Sequence, residues 1–314
     1  MNNRNDILSL LGVIIVISVY SYLLGITASS IIVLELIFAI PIIIYVYKKN
    51  INMYFIGAVV ISLLYHAMVF DNTGVLLLLL IYIIPSVIIG CLIRRKKLLS
   101  ETVAFVTIIY FLSIILIIFS YNQIYQVDII KDTYDSLETV LLENKDVFEE
   151  MFQEQPSFTF EQYVYEVIST SKYYYISFIF ILSLISIFIK VLLARTLLNI
   201  LGWKEFKLNS IIKYNPPRSF LLFFLIIIVL QGLTEHYSFV MTTSNLIVIC
   251  IFILFSVGIL FEIYLIKVAK NFGMKIVLLL ISIICLLFMP FYFVVIGVVE
   301  ILFKIRENKS ISKN

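Results

Sequence analysis

Charge is scarce in this sequence. Asp, Glu, Lys and Arg together supply 14% of its 314 residues, where a soluble domain carries about 25%. Hydrophobic residues make up 62%, and the mean hydropathy is +1.09. A water-soluble fold of this length could not cover so much apolar surface, so lipid must be the solvent for most of the chain. Cysteine is rarer still. Cys91, Cys250 and Cys285 lie in apolar runs with no neighbour at metal-ligand spacing, which leaves no expectation of a metal site or a structural disulfide. Walker A, GxSxG, GxGxxG and CxxC patterns are missing, so an enzyme is not expected. No cofactor and no nucleic-acid partner are called for. Ten-residue segments of alternating polarity are missing too, which argues against a membrane β-barrel.

What remains is a series of long apolar runs. Roughly 18 or more apolar residues cross about 30 Å of hydrocarbon as helix, and helices satisfy their own backbone inside lipid. The expected fold is all-α, a polytopic transmembrane helix bundle. Its spans are predicted at 7–24, 31–47, 51–70, 75–93, 103–121, 173–193, 220–240 and 246–268. A last apolar stretch, 276–303, is centred on Pro290, which must kink or break a helix. One kinked helix and a two-helix hairpin both fit. The first span follows a single base, Arg4, and Ala28-Ser29-Ser30 is a weak cleavage pattern, so an uncleaved signal anchor is expected. The chain divides into spans over 1–121, a polar insert over 122–172, and spans over 173–314 with a basic loop at 194–219.

The bases set an orientation. With the amino terminus inside, 20 of the 23 Lys and Arg residues fall on or near the inner side, and only Lys131, Lys145 and Lys172 fall outside. Cytoplasmic loops carry such an excess. Both termini are therefore expected in the cytoplasm of a bacterial cell membrane. The insert holds 11 of the 20 acids against those three lysines and is expected as an acidic amphipathic helical insert on the outer face. Val127, Ile130, Tyr134, Leu137 and Leu141 follow helical spacing, and Phe148 and Phe152 continue a similar stripe up to Pro156. Thr159 and Gln162 form a possible capping box for a second helix carrying Tyr163, Val167 and Ile168. The insert fits a solvated spacer as well as a docking surface. On the inner side, Arg94, Arg95, Lys96, Lys97, Trp203 and Arg218 suit the headgroup layer and anionic lipid.

Ionisable groups inside lipid are costly and normally face a partner or a cavity. Glu35, His66, Gln231, Glu235 and His236 share one leaflet in this topology, with Asp71 and Asn245 at the rim. An outward pocket for a small polar solute is one reading. In the other, Glu235 and His236 are loop residues beyond a seventh span that ends near Leu233, Glu35 binds a neighbouring helix, and His66 is a helix-contact residue. Lys190 is expected to snorkel to the inner interface. Glu262 and Lys267 close span eight, and Glu300 and Lys304 form an i,i+4 pair. The middle of the bundle reads as apolar.

Three places carry a family resemblance. The fourth span ends Ile88-Ile89-Gly90-Cys91-Leu92-Ile93 and runs into Arg94-Arg95-Lys96-Lys97. The loop before span seven ends Tyr214-Asn215-Pro216-Pro217-Arg218-Ser219. The carboxyl end carries Gly297, Glu300 and Lys304-Ile305-Arg306. In these the chain resembles the YybS-like family of bacterial membrane proteins, a domain of unknown function. That family looks distantly related to the substrate-binding components of energy-coupling vitamin transporters. The resemblance implies an outward pocket and a solute-binding or transport-related role. It departs in the first span, where Gly12, Ser18 and Ser21 stand in place of an Ala-rich coupling face. The alternative is a non-transporting scaffold or regulator that holds a membrane protein partner through the insert or the basic loop.

Overall fold

The computed structural model describes residues 11–20, 22, 31–69, 72–145, 159–203, 214–233 and 235–306. Asp71, Phe148, Phe152, Pro156 and residues 204–213 lie outside them. Among the described residues the chain is helical, with no strand. The helices are α1 (Leu11–Tyr20), α2 (Ile31–Lys49), α3 (Met53–Val69), α4 (Asn72–Leu77), α5 (Ile84–Arg94), α6 (Leu99–Tyr125), α7 (Ile129–Glu143), α8 (Phe160–Ile200), α9 (Ser219–Gly232), α10 (Tyr237–Val268), α11 (Phe272–Phe288) and α12 (Phe291–Phe303). Four stretches are long and apolar enough to cross a membrane: Gly74–Arg94, Leu99–Tyr125, Phe160–Ile200 and Tyr237–Val268. The bent pair α11 and α12 makes a fifth if counted as one span. Eight full spans are thus not what the described helices supply; α1, α3 and α9 are shorter apolar helices.

The chain forms two compact units, one of α1 to α7 with most of α8, the other of residues Ile176–Ile181 with α9 to α12. In the first unit, α4 and α5 are one continuous helix joined by a π segment, Leu78–Ile83, in which Ile84 N–H bonds to Leu79 O. Pro85 has no N–H to offer residue 81, so the bonding pattern widens there. Gly90 lets α5 approach α2: a methyl at Gly90 would lie 2.8 Å from Val46 Cβ and 2.9 Å from Ile43 O. Membrane helices rely on such small residues because lipid supplies little hydrophobic drive between them.

Between α6 and α7 the chain turns at Gln126, whose φ is 53°. Asp128 caps α7 by accepting from Ile130 N–H and Lys131 N–H. Tyr134 and Leu141 pack on Phe160, Val164 and Ile168 of α8. Val127 and Leu137 are exposed instead, as are Tyr163 and Val167. The buried stripe on α8 is the 160, 164, 168 row. Of that row only Ile168 was expected, and α8 is not a short surface helix but runs on for 41 residues. The Thr159–Gln162 capping box is formed, with both reciprocal bonds present. Thr159→Ala should cost about 1 kcal/mol, read as faster hydrogen exchange confined to the first turns of α8.

In the second unit, α10 and α12 interlock through two glycines. Gly258 lies against the backbone carbonyl of Phe293, and Gly297 against that of Leu254. Leu221, Leu254, Val257, Val294 and Ile301 fill the space around them. The pairing makes the two helices antiparallel. Extending its register places Lys304 about 20 residues, or roughly 30 Å, from Lys267 along α10. That is the thickness of the hydrocarbon layer, whereas the charge rule put both residues on one face. Between α11 and α12 the chain bends by 118°. Pro290 lacks the N–H that Leu286 O would accept, so the stretch is two helices, not one with a kink.

Candidate functional site

The first unit holds a polar centre around Glu35, which stood out in the sequence, and Lys190, which was expected at the interface instead. Glu35 of α2 is 1% exposed and Lys190 of α8 is 0% exposed. Their side chains form an ion pair, with Lys190 Nζ donating to Glu35 Oε1. Tyr110 of α6 donates its hydroxyl to Glu35 Oε2 at 3.0 Å. The Lys190 ammonium also sits over the Tyr110 ring, 4.4 Å from its centroid. Tyr20 of α1 stacks on Tyr82 at 4.2 Å, and Tyr82 donates to Phe38 O at 2.7 Å. Tyr82 lies in the π segment, so the widened turn carries one wall of the centre.

Lys190 does not snorkel. It stands ten residues before the end of α8, about 15 Å from it along the axis, further than its side chain reaches. A neighbouring carboxylate is the alternative to an uncompensated charge in lipid. Both oxygens of Glu35 are engaged, and the ammonium gains a ring quadrupole as well. Lys190, Tyr110, Tyr20 and Tyr82 were not singled out from sequence as its partners. The available signal was a lysine inside a predicted span, facing an acid inside another.

His66 of α3 is also buried, 1% exposed. Its imidazole edge fills the place a side chain would take at Gly74. Only glycine at position 74 lets this ring lie against the helix backbone. Gln231, Glu235 and His236 belong to the second unit. Gln231 Nε2 donates to Ser244 Oγ at 2.7 Å, tying α9 to α10. Glu235 and His236 are exposed in the turn between those helices, because α9 ends at Gly232 and the seventh span does not continue to residue 240. Asn245 is no rim residue. It is 3% exposed, and its Oδ1 accepts from Ser177 N–H at 2.9 Å and from the Ser177 hydroxyl at 2.6 Å.

Two further acids have partners the sequence did not indicate. Glu300, 0% exposed, pairs with Arg306 and not with Lys304: Arg306 Nε donates to Oε1 at 2.8 Å and its backbone N–H at 3.2 Å. Lys304 adopts φ 49° and closes α12 through its own N–H to Glu300 O. That left-handed residue turns the chain so that Arg306 returns to the carboxylate. Glu262, 4% exposed, meets the hydroxyls of Tyr292 and Ser282.

Of the basic residues, Arg94, Arg95, Lys96 and Lys97 are exposed at the end of α5 and the turn after it. Lys48 lies 4.1 Å from the centroid of the Trp203 ring, and Tyr47 packs on the same ring at 5.5 Å. Arg195 is buried; its Nη2 donates to Lys97 O at 2.7 Å. Arg218 is exposed just ahead of α9. No group of three His, Cys, Asp or Glu placed to hold a metal occurs among the described residues.

Comparison with known proteins gives one positive result. No curated protein and no solved structure matches the chain. A family model described as "Predicted membrane protein (DUF2232)" matches residues 10–301, nearly the whole length and both compact units. With its apolar helices and its lipid-compatible backbone, the chain belongs to this family of predicted membrane proteins, DUF2232.

Proposed function

We propose that the protein is a solute-binding, transport-related component of a bacterial cell membrane, centred on Glu35, Lys190 and Tyr110. The observation that carries this reading is a fully buried ion pair between α2 and the long apolar α8. Such a pair is weak evidence for stability, since apolar residues of similar volume usually serve as well. Inside a membrane, ionisable groups mark solute or ion pathways by default. Each charge here can exchange its partner for a group of opposite sign. Glu35 suits a solute amine and Lys190 a solute carboxylate. Resemblance to the YybS-like family, and through it to the substrate-binding components of vitamin transporters, favours the same reading. The pocket first expected from Glu35, His66, Gln231, Glu235 and His236 is accordingly narrowed to the Glu35 end. Arg94 to Lys97, Trp203 and Arg218 are proposed to face anionic lipid.

The test is a double variant, Glu35→Leu with Lys190→Met, purified in nanodiscs beside the natural protein. Small molecules extracted from each are compared by mass spectrometry. The natural protein should retain a small polar species that the double variant, folded to a similar Tm, has lost. If both retain the same species, or neither retains any, the reading fails.

Sidedness belongs to the same proposal. The amino terminus is placed in the cytoplasm, but the α10–α12 register favours opposite faces for Lys267 and Lys304. Single cysteines at 270 and 309 in intact cells should differ in labelling by an impermeant maleimide. Equal labelling would restore the single inner face that the charge rule suggests. The alternative function, a scaffold that holds a membrane protein partner, draws on the packed α7–α8 hairpin with its exposed carboxylates. Deleting 128–168 would abolish such a role and leave solute retention intact.

A further inference from the structure

Two buried hydroxyls flank the Glu35–Lys190 pair. Elsewhere in the chain, Ser62, Ser86, Thr102 and Ser256 each donate back to the carbonyl four residues earlier, a common outlet for a hydroxyl inside a helix. Thr107 Oγ1 and Ser186 Oγ, on residues 1% and 8% exposed, make no hydrogen bond of ordinary geometry. Thr107 lies three residues before Tyr110 on α6, and Ser186 four residues before Lys190 on α8. Each therefore shares a helix face with one member of the centre. Ser186 also stands beside the Tyr110 hydroxyl, whose one proton already goes to Glu35. Burying a hydroxyl without a partner is costly, and in a native protein such a group calls for a ligand or an ordered water.

The spare hydroxyls complement Lys190. A carboxylate accepts hydrogen bonds from hydroxyls and from an ammonium alike. On α2, by contrast, the residues one turn from Glu35 are Ile31, Ile32, Phe38 and Ala39, which bring no polar side chain to a bound amine. A carboxylate at Lys190 adds one negative charge to a neutral centre. Tyr20 and Tyr82, the other titratable groups beside Glu35, supply no positive charge, and an uncompensated charge is expensive in lipid. One proton removes the excess. The solute takes the ammonium, and Glu35 Oε1, released from Lys190, is protonated from water while Oε2 keeps its bond from Tyr110. Neutral acid, ammonium and bound carboxylate again sum to zero. We propose that the centre binds a small monocarboxylate together with one proton, with Lys190, Thr107 and Ser186 holding the carboxylate and Glu35 the proton. This inference rests on the solute-binding reading of Glu35 and Lys190 and narrows it to an acidic solute.

The full-length protein in nanodiscs is titrated at neutral pH with acetate, butyrate and benzoate. Calorimetry in buffers of different ionisation enthalpy reads the protons taken up with each carboxylate. Butylammonium and 4-aminobutyrate are the comparison probes. One proton should enter per carboxylate, and affinity should fall about tenfold for each unit of rising pH. Thr107→Val and Ser186→Ala should each weaken binding about tenfold or more, as loss of a hydrogen bond to a charged group does. Neither should lower the Tm of the unloaded protein, as loss of a structural hydrogen bond would. Glu35→Gln, which mimics the protonated acid, should bind carboxylate with no proton uptake and no such pH dependence. The hydroxyl variants keep the test open if Glu35→Gln does not fold. The proposal is overturned by carboxylate binding without proton uptake, by tighter binding of either comparison probe, by no carboxylate binding, or by unchanged affinity in both hydroxyl variants. The mass-spectrometric comparison separates this failure from the wider one. A retained solute without a carboxyl group sinks only the acidic class and leaves the Glu35–Lys190 reading standing.

Discussion

Replacing Lys190 by Met alone should destabilise the protein by about 3–5 kcal/mol, because it leaves the Glu35 carboxylate buried without its cation. Glu35→Leu alone should cost a similar amount by stranding the ammonium. The double replacement should recover most of that loss, since the two charges then leave the interior together. The expected coupling is large and of compensating sign, the pattern shown by residues that share one interaction. Steric trapping or thermal unfolding in nanodiscs reads it. Additive losses would mean that the two side chains do not meet in the membrane. Tyr110→Phe is the control. It removes one hydrogen bond to a charged acceptor, so its cost should be about 1.5–3 kcal/mol, with the ion pair itself intact. This series also separates structure from function. A double variant as stable as the natural protein but unable to retain solute would locate the function in the charges.

The second large effect is expected at the glycine interlock. Gly258 and Gly297 each face a backbone carbonyl of the other helix. A side chain there meets main chain, which cannot rotate away as a neighbouring side chain would. Overpacking in a core ordinarily costs about 1–3 kcal/mol. Here the helices would have to separate, so Gly258→Val or Gly297→Val should exceed that range and lower the yield of folded protein. Gly57→Val serves as comparison, because a side chain at position 57 meets nothing within 4 Å. Its effect should be small. Equal losses at positions 57 and 297 would show that α10 and α12 are not held together in this register. Separation of the pair would also move Tyr292 away from Glu262 and break the hydrogen bond between them.

Membrane residence and helical class were legible because they depend on composition and on apolar run length, which are properties of single segments. The Thr159–Gln162 capping box and the break or kink at Pro290 were legible for the same reason: each is local chemistry over a few residues. Glu35 and His66 stood out as polar residues in apolar runs. What stands beside them did not. Lys190 is 155 residues from Glu35, and no periodicity links them. Orientation arguments actively misplaced Lys190, since a basic residue near a helix end usually reaches for water. The same holds for Glu300, whose i,i+4 neighbour Lys304 was the obvious partner until a left-handed turn brought Arg306 back instead.

The amino-acid order by itself thus determined that the chain dissolves in lipid as helices and which few polar groups enter that lipid, since transfer energies add along one segment. Only the tertiary structure decided which of those groups neutralise one another, because a buried charge takes its partner from whichever helix packs beside it. The close approaches at Gly90, Gly258 and Gly297 were likewise left to the tertiary structure, because there the shape of a neighbouring backbone, and no property of the segment alone, sets the fit.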